Sequence, residues 1–308
     1  MRTMGQEGRA RLCATLAAVC ALVAPVQGFG ADADDEAAEL RTRFRAAYAT
    51  ADANLDVADD IALRGYVLYP YLRTARIEHA LANSGRSWNA ADDAALELVT
   101  EQGAAPVAAD LRRVWLASLA QRELWQEFLD HYDPTAATEA LECQYWNARI
   151  ALETTADLEP AIATRWLTPY RLPPECEPAF QWLRAQGAMT NELIEQRVGL
   201  LLDNGETGFA RTIARRLPPE SASRLIERAD FIDAPTATLD AWLASPDRNT
   251  DPVAVRDGFA QLARAAPDAA LDRFAAVAAR AGSEAEAAEL SLGLALGLAW
   301  DRRSEALD

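Results

Sequence analysis

The 308-residue chain contains no lysine, so its 30 basic residues are all arginine; against 47 aspartates and glutamates they leave a formal net charge of −17. A surface so acidic excludes non-specific attraction to nucleic acid or to an anionic membrane, both of which recruit the opposite sign. Histidine is nearly missing as well. His79 and His131 are the whole supply, which starves imidazole-based catalysis of material, and neither has a second ligand at metal spacing. His79, in "RIEHALA", reads as a surface or pocket-edge group on a helix. The chain has no phosphate loop, dinucleotide-binding glycine fingerprint, His-Glu-x-x-His helix or Gly-x-Ser-x-Gly elbow. Neither a metal nor a cofactor is expected.

Long apolar runs are scarce too. The longest, "LCATLAAVCALVAPV" at 12–26, is short for a bilayer span; Arg2, Arg9 and Arg11 precede it, and the small residues Gly28 and Gly30 follow. That order of basic start, apolar middle and small-residue end is a secretory signal peptide over residues 1–30, with cleavage expected near Gly28 or Gly30. A lipoprotein signal would need a small residue before Cys20, where Val19 stands. Loss of residues 1–30 removes three arginines and Glu7, which takes the formal charge from −17 to −19. It also removes Cys13 and Cys20 and leaves Cys143 and Cys176. An even pair in an exported chain is read as a disulfide, with a catalytic thiol the remaining alternative and no nearby histidine to support it.

What the chain has in quantity is helix. Half of its residues are apolar, enough for a substantial core. Ala91, Ala94, Ala95, Leu98 and Val99 form one stripe at helical spacing, with Asn89 placed to cap, Asp92 and Asp93 in the first turn and Gly103 as the stop. Asp251 and Pro252 open a second helix whose face is Val255, Phe259, Leu262, Ala263 and Ala266; beyond Pro267 the next face is Leu271, Phe274, Ala275 and Ala278. Two places imitate β structure. "LSLGLALGLAW" at 290–300 sets leucines at period two, yet it lacks β-branched residues and follows a Ser283-x-x-Glu286 capping box, so a buried helix is predicted. Asp203-Asn204-Gly205 resembles a hairpin turn, but Ile194, Val198, Leu201 and Leu202 before it keep helical spacing. Prolines and glycines break the chain into segments of roughly 10–18 residues joined by short loops, the pattern of antiparallel helix pairs. The fold class expected is all-α, an irregular α-superhelix over residues 31–308 with no strict 34-residue repeat.

Candidate chemistry is thin. The runs Asp32-Asp34-Asp35-Glu36 and Asp59-Asp60 read as solvated helix starts, favoured by the helix dipole. Of the eight tryptophans, Trp115, Trp125, Trp146, Trp166, Trp182 and Trp242 recur where helices should cross. They read first as buried anchors and second as a surface for stacking on sugar rings.

The most distinctive stretch is "YVLYPYLRTARI" at 66–77. It resembles the Tyr-Pro-Leu-Tyr-Pro-Tyr-Leu segment near the start of the soluble lytic murein transglycosylases. "LECQYWNARIAL" (141–152), "RWLTPYRLPPECEPAFQWLRAQG" (165–187) and "RVGLLLDNGETGFARTIARRLP" (197–218) look like successive segments of the same enzymes, in the same order and at similar spacing, with Cys143 and Cys176 in matching positions. The resemblance implies a periplasmic protein whose N-terminal part is a superhelical ring, followed by a lysozyme-like catalytic domain. That domain cleaves the MurNAc-GlcNAc bond of peptidoglycan to a 1,6-anhydro product, using one glutamate in a Glu-Ser motif followed by Gly-Leu-Met-Gln. The sequence departs from the family here. Glu220-Ser221-Ala222 looks like the start of that motif, but no Gly-Leu-Met-Gln follows, and the segment reads as a helix beginning after two prolines. No catalytic residue is assigned, and the chain is expected to be truncated relative to the family and inactive alone. Glycan strands of peptidoglycan and other cell-wall proteins are the expected partners; a stand-alone helical-repeat adaptor for a periplasmic protein is the alternative. Tyr66, Tyr69, Pro70 and Tyr71 are expected to staple the start of a helix against its neighbours ahead of binding sugar, with their hydroxyls reaching backbone groups.

Overall fold

Helix starts in this chain are written in side-chain oxygens and prolines. Asn89 and Asp92 form a reciprocal capping box. Thr138, Thr190, Asp251 and Ser283 each accept a backbone N–H from the first turn of the helix that they precede. Each such cap is worth about 1 kcal/mol. Proline takes the first or second helical position at Pro70, Pro219, Pro235, Pro252 and Pro267, where its missing N–H costs nothing.

The computed structural model describes residues 31–307; the expected signal peptide over 1–30 lies outside the described residues. Among the described residues there are sixteen α-helices, two short 3-10 turns and no strand. The chain divides into two compact units, Met1–Ser118 and Leu119–Asp308. The first holds α1 (Ala31–Ala49), α2 (Ile61–Arg64), α3 (Tyr69–Ala82), α4 (Ala90–Gln102) and most of α5 (Pro106–Gln121). Here α1 packs on α2 and α3, and α3 on α4. The expected α4 stripe is in place: Ala91, Ala95, Leu98 and Val99 are buried, and Gly103 ends the helix at positive φ.

The second unit is a stack in chain order. It comprises α6 (Trp125–His131), α7 (Glu139–Ala151), α8 (Leu158–Trp166), α9 (Glu177–Ala185), α10 (Asn191–Asp203), α11 (Thr207–Ala214), α12 (Pro219–Asp233), α13 (Pro235–Leu243), α14 (Pro252–Ala265), α15 (Pro267–Ala279) and α16 (Glu284–Trp300). Neighbours pair, and α10, α12, α14 and α16 also pack each on the next-but-one, so each helix pair lies on the last: an irregular α-superhelix. Two glycines permit close crossings along this row. A Cβ on Gly258 of α14 would lie 2.9 Å from the Phe231 carbonyl of α12, and one on Gly297 of α16 would overlap the Ala263 carbonyl of α14.

Three readings are corrected in detail. The segment 290–300 is helical, but only half of it is buried. A two-residue step in a helix turns 200°, so the leucines fall on opposite faces: Leu290, Leu294 and Leu298 pack on α14, while Leu292, Leu296 and Trp300 are 60%, 61% and 84% exposed. On α15 the buried face centres on Ala270 and Val277, and Ala275 is exposed. Asp60 does cap α2, its Oδ1 accepting from the Leu63 N–H at 2.9 Å, but the Asp59 side chain is only 6% exposed and is no solvated helix start.

Candidate functional site

Asp59 is instead the centre of the tyrosine cluster in the first unit. Pro70 lies in the first turn of α3. Tyr66 packs its ring 5.2 Å from that of Phe44, and Tyr69 turns inward, its hydroxyl donating to Asp59 Oδ2 at 3.0 Å. Arg76, two turns on, forks onto the same carboxylate with bonds of 2.5 and 3.0 Å. The Arg76 guanidinium holds the Asp59 carboxyl below the usual range, and burial with the carboxylate beside it pushes the Tyr69 phenol up. The Tyr69 hydroxyl thus reaches a charged side chain rather than the backbone groups expected of it. Tyr71 is 40% exposed on the outer side of the helix. A small cleft lined by Leu55, Tyr69, Arg73, Arg76 and Glu97 opens beside the cluster.

In the second unit, Cys143 on α7 and Cys176 at the end of the 3-10 turn before α9 are joined by a disulfide and fully buried. Asn147, one turn after Cys143, donates to the Glu175 carbonyl at 2.8 Å and fastens the same turn to α7. Beside them Tyr132 and Tyr145 stack with centroids 4.7 Å apart, and burial pushes the Tyr132 phenol up to about 12. Arg165 pairs with Glu139 and Glu142 of α7, and the Tyr170 hydroxyl donates to Glu139 Oε1 at 2.6 Å.

The most unusual charge in the described chain is Arg197 on α10, 1% exposed and without a carboxylate partner. Its guanidinium lies 4.4 Å over the Trp166 ring and donates to the carbonyls of Trp166 and Tyr170. The Trp166 carbonyl closes α8, so the cation faces the negative end of a helix dipole, which offsets part of its desolvation. Burial, with Arg216 nearby, lowers the Arg197 pKa to about 10. Asn204 donates to the Pro169 carbonyl at 3.0 Å. Arg197 of α10 and Asn204, which caps the end of that helix, therefore clamp the loop from Leu167 to Pro173, which carries Tyr170 and Arg171.

The tryptophans divide by exposure. Trp115, Trp146, Trp166 and Trp242 are buried anchors, Trp125 and Trp182 are half-buried, and Trp300 is open to solvent. Trp115 donates its indole N–H to buried Asp92 at 3.0 Å, a second use of a residue that the sequence offered only as a helix start. Trp242 lines a cleft of about 470 Å³ that no motif announced, together with Arg248, Arg256, Glu286 and Glu289. Arg280 lies 4.1 Å over the Trp242 ring and gathers the carbonyls of Ser245, Pro246 and Arg248, holding the loop before α14. Glu220 stands exposed in the first turn of α12.

No family model matches the chain. Over 189 residues, 60% of its length, it is 26% identical to the soluble lytic murein transglycosylase of Salmonella typhimurium and 25% identical to that of Escherichia coli K12. The chain resembles the soluble lytic murein transglycosylases. It spans about 28% of the length of these curated relatives. Among solved structures, the 70 kDa soluble lytic transglycosylase of Escherichia coli superposes with a TM-score of 0.68 at 23% identity, over 89% of this chain and 44% of the other. An inactive variant of the lytic transglycosylase Slt from Pseudomonas aeruginosa gives 0.66 at 24% identity, over 87% and 43%. The structural likeness to these transglycosylases carries the fold, an α-superhelix. Among the described residues no helix is long and apolar enough to cross a membrane, and no group of acidic, histidine and cysteine side chains could hold a metal ion.

Proposed function

We propose that this chain is the superhelical scaffold and substrate-guiding part of a periplasmic lytic transglycosylase, which acts on the MurNAc-GlcNAc bonds of peptidoglycan and yields 1,6-anhydro ends. The observation that carries the reading is the 189-residue likeness to enzymes named for acting on murein, over 28% of their length. Localisation follows from the same reading and from the signal-peptide pattern over residues 1–30. The reaction needs a carboxylic acid held protonated near neutral pH beside the scissile bond. Glu78 is pushed in that direction by burial and by Asp110, but it lines neither the cleft at Trp242 nor the one beside Tyr69. Because no Gly-Leu-Met-Gln follows Glu220-Ser221 in this sequence, the chain alone is read as non-catalytic. Its contribution would be to hold a strand and to position it for a catalytic centre elsewhere.

Two assays test this. The purified chain, incubated with peptidoglycan sacculi, is expected to release no anhydro-muropeptides; their appearance overturns the claim of inactivity. The chain is expected to co-sediment with sacculi, and failure to do so leaves a purely architectural role. A second reading, an adaptor for a periplasmic protein, draws on one observation: the outward face of α16 with Leu292, Leu296 and Trp300 exposed in a row. Crosslinking in cell envelope separates the two readings. One protein partner favours the adaptor, and glycan favours the guide.

A further inference from the structure

Within the second unit a cleft of about 340 Å³ opens where the end of α5, the start of α6, one side of α7 and the turn before α9 meet. Its lining is of one kind. The clefts at Trp242 and beside Tyr69 both carry arginines, whereas none of the residues lining this one is basic, in a chain with 30 arginines. It gathers instead the carboxylates of Glu123 and Glu175, the amides of Gln121, Gln144 and Asn147, and the indole of Trp125.

Three of these side chains lack the partner that their chemistry calls for. Glu175 is half-buried and makes no ion pair. The half-buried ring of Trp125 meets no other ring and no arginine. Asn147 is 8% exposed; its Nδ2 donates to Gln144 Oε1 at 3.1 Å and to the Glu175 carbonyl at 2.8 Å, bonds that fix which way round the amide sits, and its Oδ1 is left buried without a donor. A carboxylate without a counter-ion, an acceptor without a donor and a ring without a partner share one complement, a cation that carries N–H groups.

We infer that this cleft binds a primary ammonium group at the end of an aliphatic arm, the chemistry of the diamino acid in a peptidoglycan stem peptide. The choice of peptide rests on the guiding role proposed above; the preference for an ammonium rests on the cleft alone. Ile150 and Pro178 supply apolar wall for the methylenes of the arm. The turn that bears Glu175 is already held to α7 by the Asn147 bond and by the disulfide at Cys176, so little freedom is lost when the ligand arrives. The acid excess of the chain favours the approach of a cation.

The test titrates the whole chain at low salt, by calorimetry or NMR, with a lysine-containing stem pentapeptide and with the same peptide acetylated on the lysine Nε. One cation–π contact and one partly screened carboxylate correspond to about a five- to ten-fold preference for the free amine. In the Trp125→Leu/Glu175→Gln variant the two peptides are expected to bind within about two-fold of each other, once both contacts are gone. Equal binding of both peptides by the parent chain, binding of neither, or a preference that survives in the variant overturns the inference. If the double variant does not fold, Glu175→Gln alone decides: this isosteric change should cut the preference by about two- to three-fold, and an unchanged preference overturns the proposal. The outcomes stay distinct from those of the guiding role. A chain that prefers the free amine yet is not retained on sacculi keeps this site and loses the guiding role, and one that is retained but binds both peptides alike keeps the guiding role and loses this site.

Discussion

Removing the Cys143–Cys176 bridge tests the second unit at its most constrained point. The cysteines are 33 residues apart in sequence. In the loop-entropy description, a crosslink closing a loop of that length takes about 3–4 kcal/mol of freedom from the unfolded chain. Both sulfurs are fully buried, one on α7 and one on the turn that leads into α9, so the bridge joins helices that already share a core. Replacing both with alanine removes the crosslink and leaves no thiol and only a small void. For a unit of this size each kcal/mol is worth about 2–4 °C in melting temperature, so the Cys143→Ala/Cys176→Ala variant should melt about 6–16 °C below the oxidised parent. Circular dichroism melts of the chain without residues 1–30, with and without reductant, give the measurement; thiol titration under denaturing conditions counts the free sulfurs. Two titratable thiols in oxidised protein, or a variant that melts within about 2 °C of it, would refute the reasoning.

Four further perturbations address other joints. Asp59→Asn breaks a carboxylate–guanidinium pair whose side chains are 6% and 9% exposed, at an expected cost of about 3 kcal/mol or more. Its pH signature has a definite sign. The folded carboxyl sits below its unfolded value of about 3.9, so the stabilisation is present above that value and is lost as pH falls through the folded one, and melts between pH 6 and 3 should be flatter in the variant than in the parent. Leu294→Ala should cost about 2–5 kcal/mol and Leu292→Ala less than about 0.5, a contrast that a strand or a fully buried helix would not give. Arg197→Met strands the carbonyls of Trp166 and Tyr170 and should cost about 2–4 kcal/mol by denaturant titration, with Arg197→Lys only partly restoring it. Arg228 bonds Asp257 through Nε and Asp203 through Nη2, so Arg228→Lys should lower the melting temperature; an unchanged melt would remove the case for a two-armed cation there.

Much of the fold was legible because its signals are local. Caps at Asn89, Asp251 and Ser283 depend on one oxygen and a nearby N–H, and the stripes on α4 and α14 repeat at helical period. What was not legible depends on partners distant in the chain. Asp59 reads as a helix start until Arg76 and Tyr69 come round to it from α3. The exposed side of α16 is invisible in a sequence that is apolar on every face, because only the position of α14 decides which leucines are covered. The cleft at Trp242 is assembled from five successive segments, none of which carries a motif. The tyrosine stretch stands between these cases: its composition marked a likeness, but its chemistry needed the carboxylate that precedes it.

The absence of lysine takes on a structural meaning once the arginines are placed. Arg211 of α11 reaches Asp230 and Asp233 of α12, Arg273 of α15 grips Asp240 of α13, and Arg228 of α12 joins Asp203 of α10 to Asp257 of α14. Each is a tie between neighbouring layers of the stack, and several use the guanidinium fork to serve two acceptors at once, which a single ammonium does less well. In a chain with such an acid excess, a fork that serves two carboxylates at once ties three helices together through one side chain, as Arg228 does for α10, α12 and α14.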